Sequence, residues 1–423
     1  MPYYSPYFIY ISIPILLTGL FFLIEHKLTK PWMRWAWWIA CLALLLLIGW
    51  YASQEQYLYD FFKGYYHGGR KIVRDLEALY DENCYNFTNF PLVAFLFAPL
   101  ANLEKEYAGT IFFLAGYVTI LPLAYWLVKL AELKGGLRWL VLALLALNGP
   151  LDYNIWLGNI TQVITLGLLL ALWWVKTGKE WLAGILLGVN GLLKIPLILP
   201  AGYFFVQRRW RVVGGGLLIF TLVLAASLIF VPFWLNSLWA DRCILSMAGN
   251  PITAYNNQSL SGFLSRQLIP GYVGWFPIAP NPQYQLASAF AQLVLYAPIV
   301  FILFIGFKHP ATPKTQTSEF LILVTGSLLT SPIAWTHYLL MLIIPIALYI
   351  KENSEEQNKL WLNILFWAGV LLLSIPINST QALFEQTGQI LFLSLHFLGM
   401  LLLYITLVIR WSQKYLTAKQ TSA

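Results

Sequence analysis

Charge is what this sequence has least of. Only 10% of its 423 residues are Asp, Glu, Lys or Arg, whereas a water-soluble domain carries roughly a quarter. A chain so poor in charge cannot coat its own surface in water, which excludes a soluble fold and makes lipid the solvent. Cysteine is nearly as scarce. Cys41, Cys84 and Cys243 show no metal-type spacing and no neighbouring His cluster, so they read as unremarkable. A disulfide between Cys84 and Cys243 stays open, because both fall outside the membrane in the reading below and sequence alone does not fix connectivity. There is no Gly-x-x-x-x-Gly-Lys loop, no Rossmann glycine pattern and no His-x-x-x-His pair. No nucleotide-binding domain, cofactor or metal ion is therefore expected. An internal repeat is missing too, and so is a basic leader with a cleavage site, which makes the first apolar run a retained helix.

What fills the chain instead is apolar. Hydrophobic residues make up 59% and aromatics 17%, with 19 Trp and a net charge of +8. The Lys and Arg sit in short clusters between apolar runs rather than on one face or arm, so they read as topology signals and not as a nucleic-acid surface. Apolar runs near 6–24, 35–52, 107–128, 137–148, 156–175, 181–206, 212–235, 286–307, 319–350, 361–376 and 389–410 read as spans. Two of them contain a polar interruption: Lys194, Pro196 and Pro200 in one, Ser331, Pro332 and His337 in the other. Each is expected to turn back there, giving about thirteen crossings. Residues 90–103 are apolar but short and are read as re-entrant. Basic loops around Lys27, Lys129, Lys176, Arg208, Lys308 and Lys314, and Arg410 to Lys419 agree on a cytoplasmic side. The long loops 53–89 and 236–285, the Lys194 turn and the Ser331–His337 turn then share the opposite face.

Few residues on that face look able to carry chemistry. Asp60 stands at a membrane edge between aromatics, where an unpaired carboxylate is costly and usually functional. The residues after it, with Phe61, Phe62, Tyr65 and Tyr66 among Lys63, His67, Arg70, Lys71 and Arg74, suggest short helices lying in the interface. The plainer reading of those charges is a solvated amphipathic loop. Lys194 lies inside a long apolar run, where a lysine either snorkels to the interface or meets an anion. His337 is either a hydrogen-bonded structural residue or a partner of the same site. Around Asn148, Asp152 and Asn159, polar residues at a helix entrance fit hydroxyl binding or capping equally well. In the amide-rich stretch 256–266, Arg266 stands out as a phosphate contact, although such stretches are usually plain loops.

Taken in order, these landmarks resemble glycosyltransferase family 87, polytopic enzymes of the GT-C architecture that include polyprenol-phosphate-mannose-dependent α-mannosyltransferases of bacterial envelopes. The likeness covers roughly 35–411. It rests on Asp60 followed by Phe61, Tyr65 and Tyr66, on Leu79-Tyr80, on Phe90-Pro91 before Pro99-Leu100, and on Gly158 before a Leu-rich span. Lys194 and Pro196 followed by Arg-Arg-Trp-Arg, and Ser331-Pro-Ile-Ala-Trp335-Thr-His337-Tyr338, complete it. Members often show Tyr-Pro-Pro at Phe90-Pro91-Leu92, and Gly-Gln-x-Asn where this chain has Gly158-Asn159-Ile160-Thr161.

The resemblance implies an all-α, polytopic membrane protein of GT-C type. Residues 35–411 would form the enzyme, 1–34 an added span with its cytoplasmic loop, and 412–423 a cytoplasmic tail. It implies an inverting transfer of a hexose, mannose in the family, from a polyprenyl-phosphate donor to a glycolipid or glycan on the periplasmic or extracellular face of a bacterial inner membrane. Asp60 would be the general base, with Lys194, His337 and Arg266 at the donor phosphate. Tyr65, Tyr66, Asn159, Trp335 and Asn257 would contact sugar or acceptor. A transporter or flippase, with Lys194 and His337 lining its pathway, is the rival reading, and an assembly protein the third. Long loops gathered on one face favour the enzyme over the transporter, whose halves are commonly repeated.

Overall fold

The computed structural model describes residues 5–55, 57–80, 84, 86–247, 249–269, 271, 273–308, 313–356 and 359–422. Positions 81–83 and 85 of the first long loop and 309–312 of the polar stretch 308–318 lie outside them, as do the side chains of Lys314 and Lys419. Among the described residues there are nineteen α-helices and no β-strand, as the all-α reading expects. The first two are α1 (Phe8–Ile24) and α2 (Pro31–Ala52). A π-helical turn at Phe61–Tyr66 then runs into α3 (His67–Arg74), followed by α4 (Pro91–Ala101), α5 (Lys105–Leu130), α6 (Gly135–Ala146), α7 (Gly149–Leu157) and α8 (Thr161–Lys176). Next come α9 (Glu180–Leu193), α10 (Ile198–Val206), α11 (Trp210–Phe230), α12 (Phe233–Trp239) and α13 (Leu260–Leu268). The chain ends with α14 (Pro282–Lys308), α15 (Pro313–Thr330), α16 (Ile343–Glu355), α17 (Leu360–Ser374), α18 (Ile377–Thr387) and α19 (Leu395–Ser422).

Among the described residues, five helical stretches are long and apolar enough to cross a bilayer alone: α2, α5, α11, α14 and Ile390–Leu416. Two bent pairs, α6 with α7 and α17 with α18, bring the number to seven. These helices show lipid what a soluble protein hides. Leu217, Phe220, Leu228 and Ile229 on α11, and Leu286, Phe290, Leu293 and Phe304 on α14, are exposed, as expected where hydrocarbon is the solvent. Length and composition thus mark up to seven spans among the described residues, against the thirteen crossings expected. Several apolar runs form helices of 10 to 17 residues, among them α1, α4, α8 and α9, and much of their surface is covered by protein. Hydropathy cannot separate such a segment from a lipid-spanning one. The 11 residues of α4 reach only about 16 Å at 1.5 Å per residue, well short of the roughly 30 Å hydrocarbon core.

Both interrupted runs turn back where the sequence places the polar residues. Arg209, before α11, pairs at 2.6 Å with Glu180, the first residue of α9, so α10 has returned the chain to the level at which α9 began. From there α9 and α11 climb side by side, Gly184 against the Val212 carbonyl and Gly188 against Gly216, an approach that only small residues allow. The break itself sits at Lys194, extended at φ −139° and ψ 93°, just ahead of Ile195 and Pro196. In the second run, Glu319 near the start of α15 accepts from Trp411 at 3.1 Å, and Glu352 near the end of α16 pairs with Arg410 at 3.0 Å. With Trp411 next to Arg410 in the same helix, both ends of the second hairpin lie at one level. That level is rich in paired ions, including Lys414 with Glu352 at 2.7 Å, Lys129 with Glu25 at 3.4 Å, and Lys176 with Glu132. It forms the basic end of the molecule.

At the other end the two long loops are clasped. Cys84 and Cys243 form a disulfide with a Cα separation of 5.2 Å, which settles the pairing that spacing left open. Beside it, Arg242 donates to the Tyr80 carbonyl at 2.8 Å and the Trp239 indole to the Thr88 carbonyl at 3.1 Å. Loops 53–89 and 236–285 therefore share one face and brace each other. Cys41 is buried and free. The first helix is no loose addition in space: Tyr117 donates to the Tyr10 carbonyl at 3.0 Å, and Ser5 hydrogen-bonds both Asp152 oxygens at 2.5 and 2.9 Å.

Candidate functional site

Asp60 owes its position to the elbow between α7 and α8. That elbow turns on Gly158, which is left-handed at φ 69° and closes α7. A β-carbon at Gly158 would lie 3.0 Å from Phe61 Cβ and 3.1 Å from Leu58 Cβ, so the residues flanking Asp60 rest directly on this glycine. Leu58 is itself held at φ 40°, a conformation that L-residues adopt at a penalty of about 1–2 kcal/mol, and its amide donates to the Trp156 carbonyl at 3.1 Å. On the other side Phe61 is fully buried and stacks on Phe112 at 4.2 Å. Gly158→Ala is expected to lose about 10²-fold in turnover, since a displacement of about 1 Å at a reacting group has that effect. Turnover and melting temperature measured together check this, and a variant with wild-type values in both would show that the elbow does not place Asp60.

One amide then ties the carboxylate to a cation. Asn159 donates from Nδ2 to Asp60 Oδ2 at 2.9 Å. Its Oδ1 accepts from the Ile160 amide at 2.9 Å, the Thr161 hydroxyl at 3.1 Å and Lys194 Nζ at 3.3 Å. Three donors on one oxygen leave the amide no alternative orientation, so the Nδ2 group faces Asp60 by necessity. Lys194 is buried and its ammonium lies 3.9 Å above the Tyr338 ring, within range of a cation–π contact. Burial raises the Asp60 carboxyl from the usual 3.8 to about 6, against the opposing pull of the Asn159 hydrogen bond and the Lys194 charge. A carboxylate so tuned accepts a proton far more readily near neutral pH than a solvated one does.

His337 completes the group. It is buried, with Tyr338 at 4.9 Å and Tyr153 at 6.4 Å between ring centroids. Neither of its ring nitrogens has a hydrogen-bond partner among the described residues. Buried polar atoms are almost always paired, so an imidazole unpaired on both sides points to a ligand. Asn256 repeats the pattern, since Nδ2 donates to the Tyr153 hydroxyl at 3.0 Å while Oδ1 is buried without a partner. Tyr153, Tyr338 and Asn256 were not singled out from the sequence. Tyr338 adjoins His337, and Tyr153 sits in the polar helix entrance, but an isolated tyrosine in a membrane protein carries no signal of its own. Among the described residues no three His, Cys, Asp or Glu side chains form a metal-sized cluster.

The remaining candidates divide. The Tyr65 ring stacks on Phe97 at 4.5 Å, and its hydroxyl feels the charge of Asp60, so it belongs to the site's wall. Tyr66 donates to the Leu103 carbonyl at 2.9 Å, a structural tie. Trp335 pairs through its backbone with Asn257 and has Trp275 at 6.0 Å between ring centroids. Asn257 is tied into the loop: Nδ2 donates to the Ile252 carbonyl at 3.0 Å, and Oδ1 accepts from the Ser259 hydroxyl at 3.0 Å and the Ala334 amide at 3.1 Å. Arg266 is held in the same way. Its guanidinium is buried and donates to the carbonyls of Ala254 and Asn257 at 2.8 Å each and twice to the Ser394 hydroxyl. With four of five donors committed, it clamps the loop to the turn that leads into the last helix.

The group lies far from the basic end. Asn159 precedes the 16 residues of α8, and Lys194 follows the 14 of α9. Both helices start or end in the ion-paired layer, which places Asp60's neighbours about 21–24 Å from it at 1.5 Å per residue. The model of glycosyltransferase family 87 matches residues 87–332, a stretch that includes Asn159 and Lys194 but neither Asp60 nor His337. A polyprenol-phosphate-mannose-dependent alpha-(1-2)-phosphatidylinositol pentamannoside mannosyltransferase of Mycobacterium tuberculosis is 26% identical over 305 residues, covering 69% of this chain and 64% of the relative. The protein of the same description from Mycolicibacterium smegmatis is 24% identical over 336 residues, 74% of each chain. The chain thus spans just under two thirds of the first relative's length. No solved structure matches. With more than half of its 423 residues inside the family match, the chain belongs to glycosyltransferase family 87.

Proposed function

We propose that the protein transfers a mannosyl group from polyprenyl-phosphate-mannose to a hydroxyl of a membrane glycolipid, on the face opposite the basic end, with inversion at the sugar carbon. The observation that carries this reading is the Asp60–Asn159–Lys194 chain beside an unpaired His337. It sets one proton acceptor and two groups suited to an anion in a single site. Asp60 takes the acceptor hydroxyl's proton as that oxygen bonds to the sugar's anomeric carbon. The bond from that carbon to the phosphate oxygen breaks, and its electron pair leaves with the polyprenyl phosphate. Lys194 stabilises the charge that develops there, with His337 as a hydrogen-bond donor. Buried tyrosines around the site, Tyr65 and Tyr153 among them, offer flat surfaces for sugar rings.

Three further facts support it. The mannose donor is named for both relatives. The Cys84–Cys243 disulfide on the loop side fits an oxidising, non-cytoplasmic compartment, and the ion-paired basic end fits the inside. Purified protein in liposomes, given polyprenyl-phosphate-mannose labelled in the sugar and a phosphatidylinositol mannoside, is expected to produce a labelled glycolipid with the anomeric configuration opposite to that of the donor. Absence of labelled lipid, or retention of configuration, would count against the proposal.

A further inference from the structure

Asn256 offers a hydrogen-bond acceptor that the fold leaves empty. The residue is buried, and its Oδ1 has no partner among the described residues. A buried acceptor without a partner lowers stability, so its retention calls for a ligand that fills it. The backbone around Asn256 is built to hold it still. Its carbonyl accepts from the Thr336 amide at 2.8 Å and the Thr336 hydroxyl at 3.2 Å, and the Gln258 amide donates to the Ala334 carbonyl at 2.6 Å. This pairing sets Asn256 beside the segment that carries His337. Arg266 adds a second restraint, since the carbonyls it binds, those of Ala254 and Asn257, bracket Tyr255 and Asn256.

The side chain is oriented as firmly as the backbone. Its Nδ2 donates to the Tyr153 hydroxyl at 3.0 Å, and that hydroxyl also hydrogen-bonds Tyr255. With the amide nitrogen engaged there, Oδ1 faces away from Tyr153. The Tyr153 ring lies 6.4 Å from that of His337 between centroids, and both Tyr153 and Tyr255 feel the charge of Asp60. Asn256 thus belongs to the wall around the reacting carboxylate. It carries no charge for a phosphate and takes no proton, but an amide oxygen accepts from an O–H. We infer that Asn256 is a specificity-determining residue, whose Oδ1 accepts a hydrogen bond from a hydroxyl of the hexose being transferred. This rests on the transfer reading, in which that hexose lies between Asp60 and Lys194. The backbone pairing argues for the sugar donor over the acceptor, because it joins Asn256 to the residue before His337, whereas Asp60, where the acceptor hydroxyl arrives, is carried by the first long loop. A site built to pair with a hydroxyl rejects an analogue that lacks it, since the buried acceptor then stays empty.

The test uses full-length protein in liposomes, with polyprenyl-phosphate-mannose and a set of analogues that each lack a single sugar hydroxyl, and reads kcat/KM for each. Wild type is expected to lose roughly tenfold or more when the hydroxyl that meets Asn256 is missing. Asn256→Ala should lose roughly tenfold with the intact sugar donor, and less than about twofold more with that same deoxy analogue, because both changes delete one hydrogen bond. With the other analogues its losses should match those of wild type. Tyr153→Phe, which keeps the ring and frees the amide, should weaken the same discrimination, and it carries the test if Asn256→Ala does not fold. A deoxy pattern that these variants leave as in wild type overturns the inference and makes Asn256 a structural residue. Coupling of the Asn256→Ala loss to a deoxy acceptor, in place of a deoxy donor, overturns it as well. No transfer by wild type from the intact donor removes the transfer reading and this inference with it, whereas transfer with an unaltered pattern removes the inference alone.

Discussion

Asp60→Asn is expected to slow sugar transfer by about 10²- to 10⁴-fold, the usual contribution of a positioned general base, without lowering the melting temperature. The substitution is nearly isosteric, and its amide oxygen still accepts from Asn159 Nδ2, which now lies 2.9 Å from the carboxylate. Geometry is kept and only the proton acceptor is lost. The stability half follows from linkage. Burial raises the Asp60 carboxyl to about 6 from 3.8, so the folded state holds the proton more tightly than the unfolded one. The stabilisation from this group is present in acid and is lost as pH rises through the window between those values. At neutral pH the ionised side chain therefore burdens the fold, and a neutral amide relieves it. Wild-type kcat/KM should fall about tenfold per unit below about pH 6, while residual Asn-variant activity stays flat there. Transfer by the variant at the wild-type rate would remove Asp60 from the base role.

Asp60, Lys194 and His337 stand out in the sequence because an ionisable group in an apolar run is expensive to keep, and the fold brings their neighbourhoods together. The turn at Lys194 was legible for the same reason, aided by Pro196. Arg266 and Asn257 looked similar, and the fold binds both into the loop. Whether a guanidinium meets a phosphate or the carbonyls of Ala254 and Asn257 depends on backbone path, which no spacing rule contains. The crossing count was less legible, since α8 and α9 are as apolar as lipid-facing helices yet are short and pack largely against protein. Asn159 occupies an intermediate place. Its polar surroundings were visible, but its part as the link between a carboxylate and an ammonium needs three distances that only the fold supplies.

Lys194→Met is expected to reduce kcat by about 10²- to 10³-fold, the effect of deleting one preorganised group that meets developing charge. Methionine keeps the length and apolar body of the side chain and removes its charge. Among the described residues the ammonium has a single hydrogen-bond acceptor, Asn159 Oδ1 at 3.3 Å, besides the Tyr338 ring face. Two of its three donors thus remain for a phosphate. A snorkelling or purely structural lysine predicts something else: a changed melting temperature with the chemistry intact. The pH profile separates the two. The Lys194 charge holds the Asp60 carboxyl down against the effect of burial, so without it the acid limb of kcat/KM should move above about 6. Lys194→Arg, which restores the charge, should bring that limb back toward the wild-type position even if turnover stays low. A methionine variant with an unmoved limb and wild-type kcat would mean that Lys194 serves the fold alone, and that the leaving phosphate is stabilised by some other group.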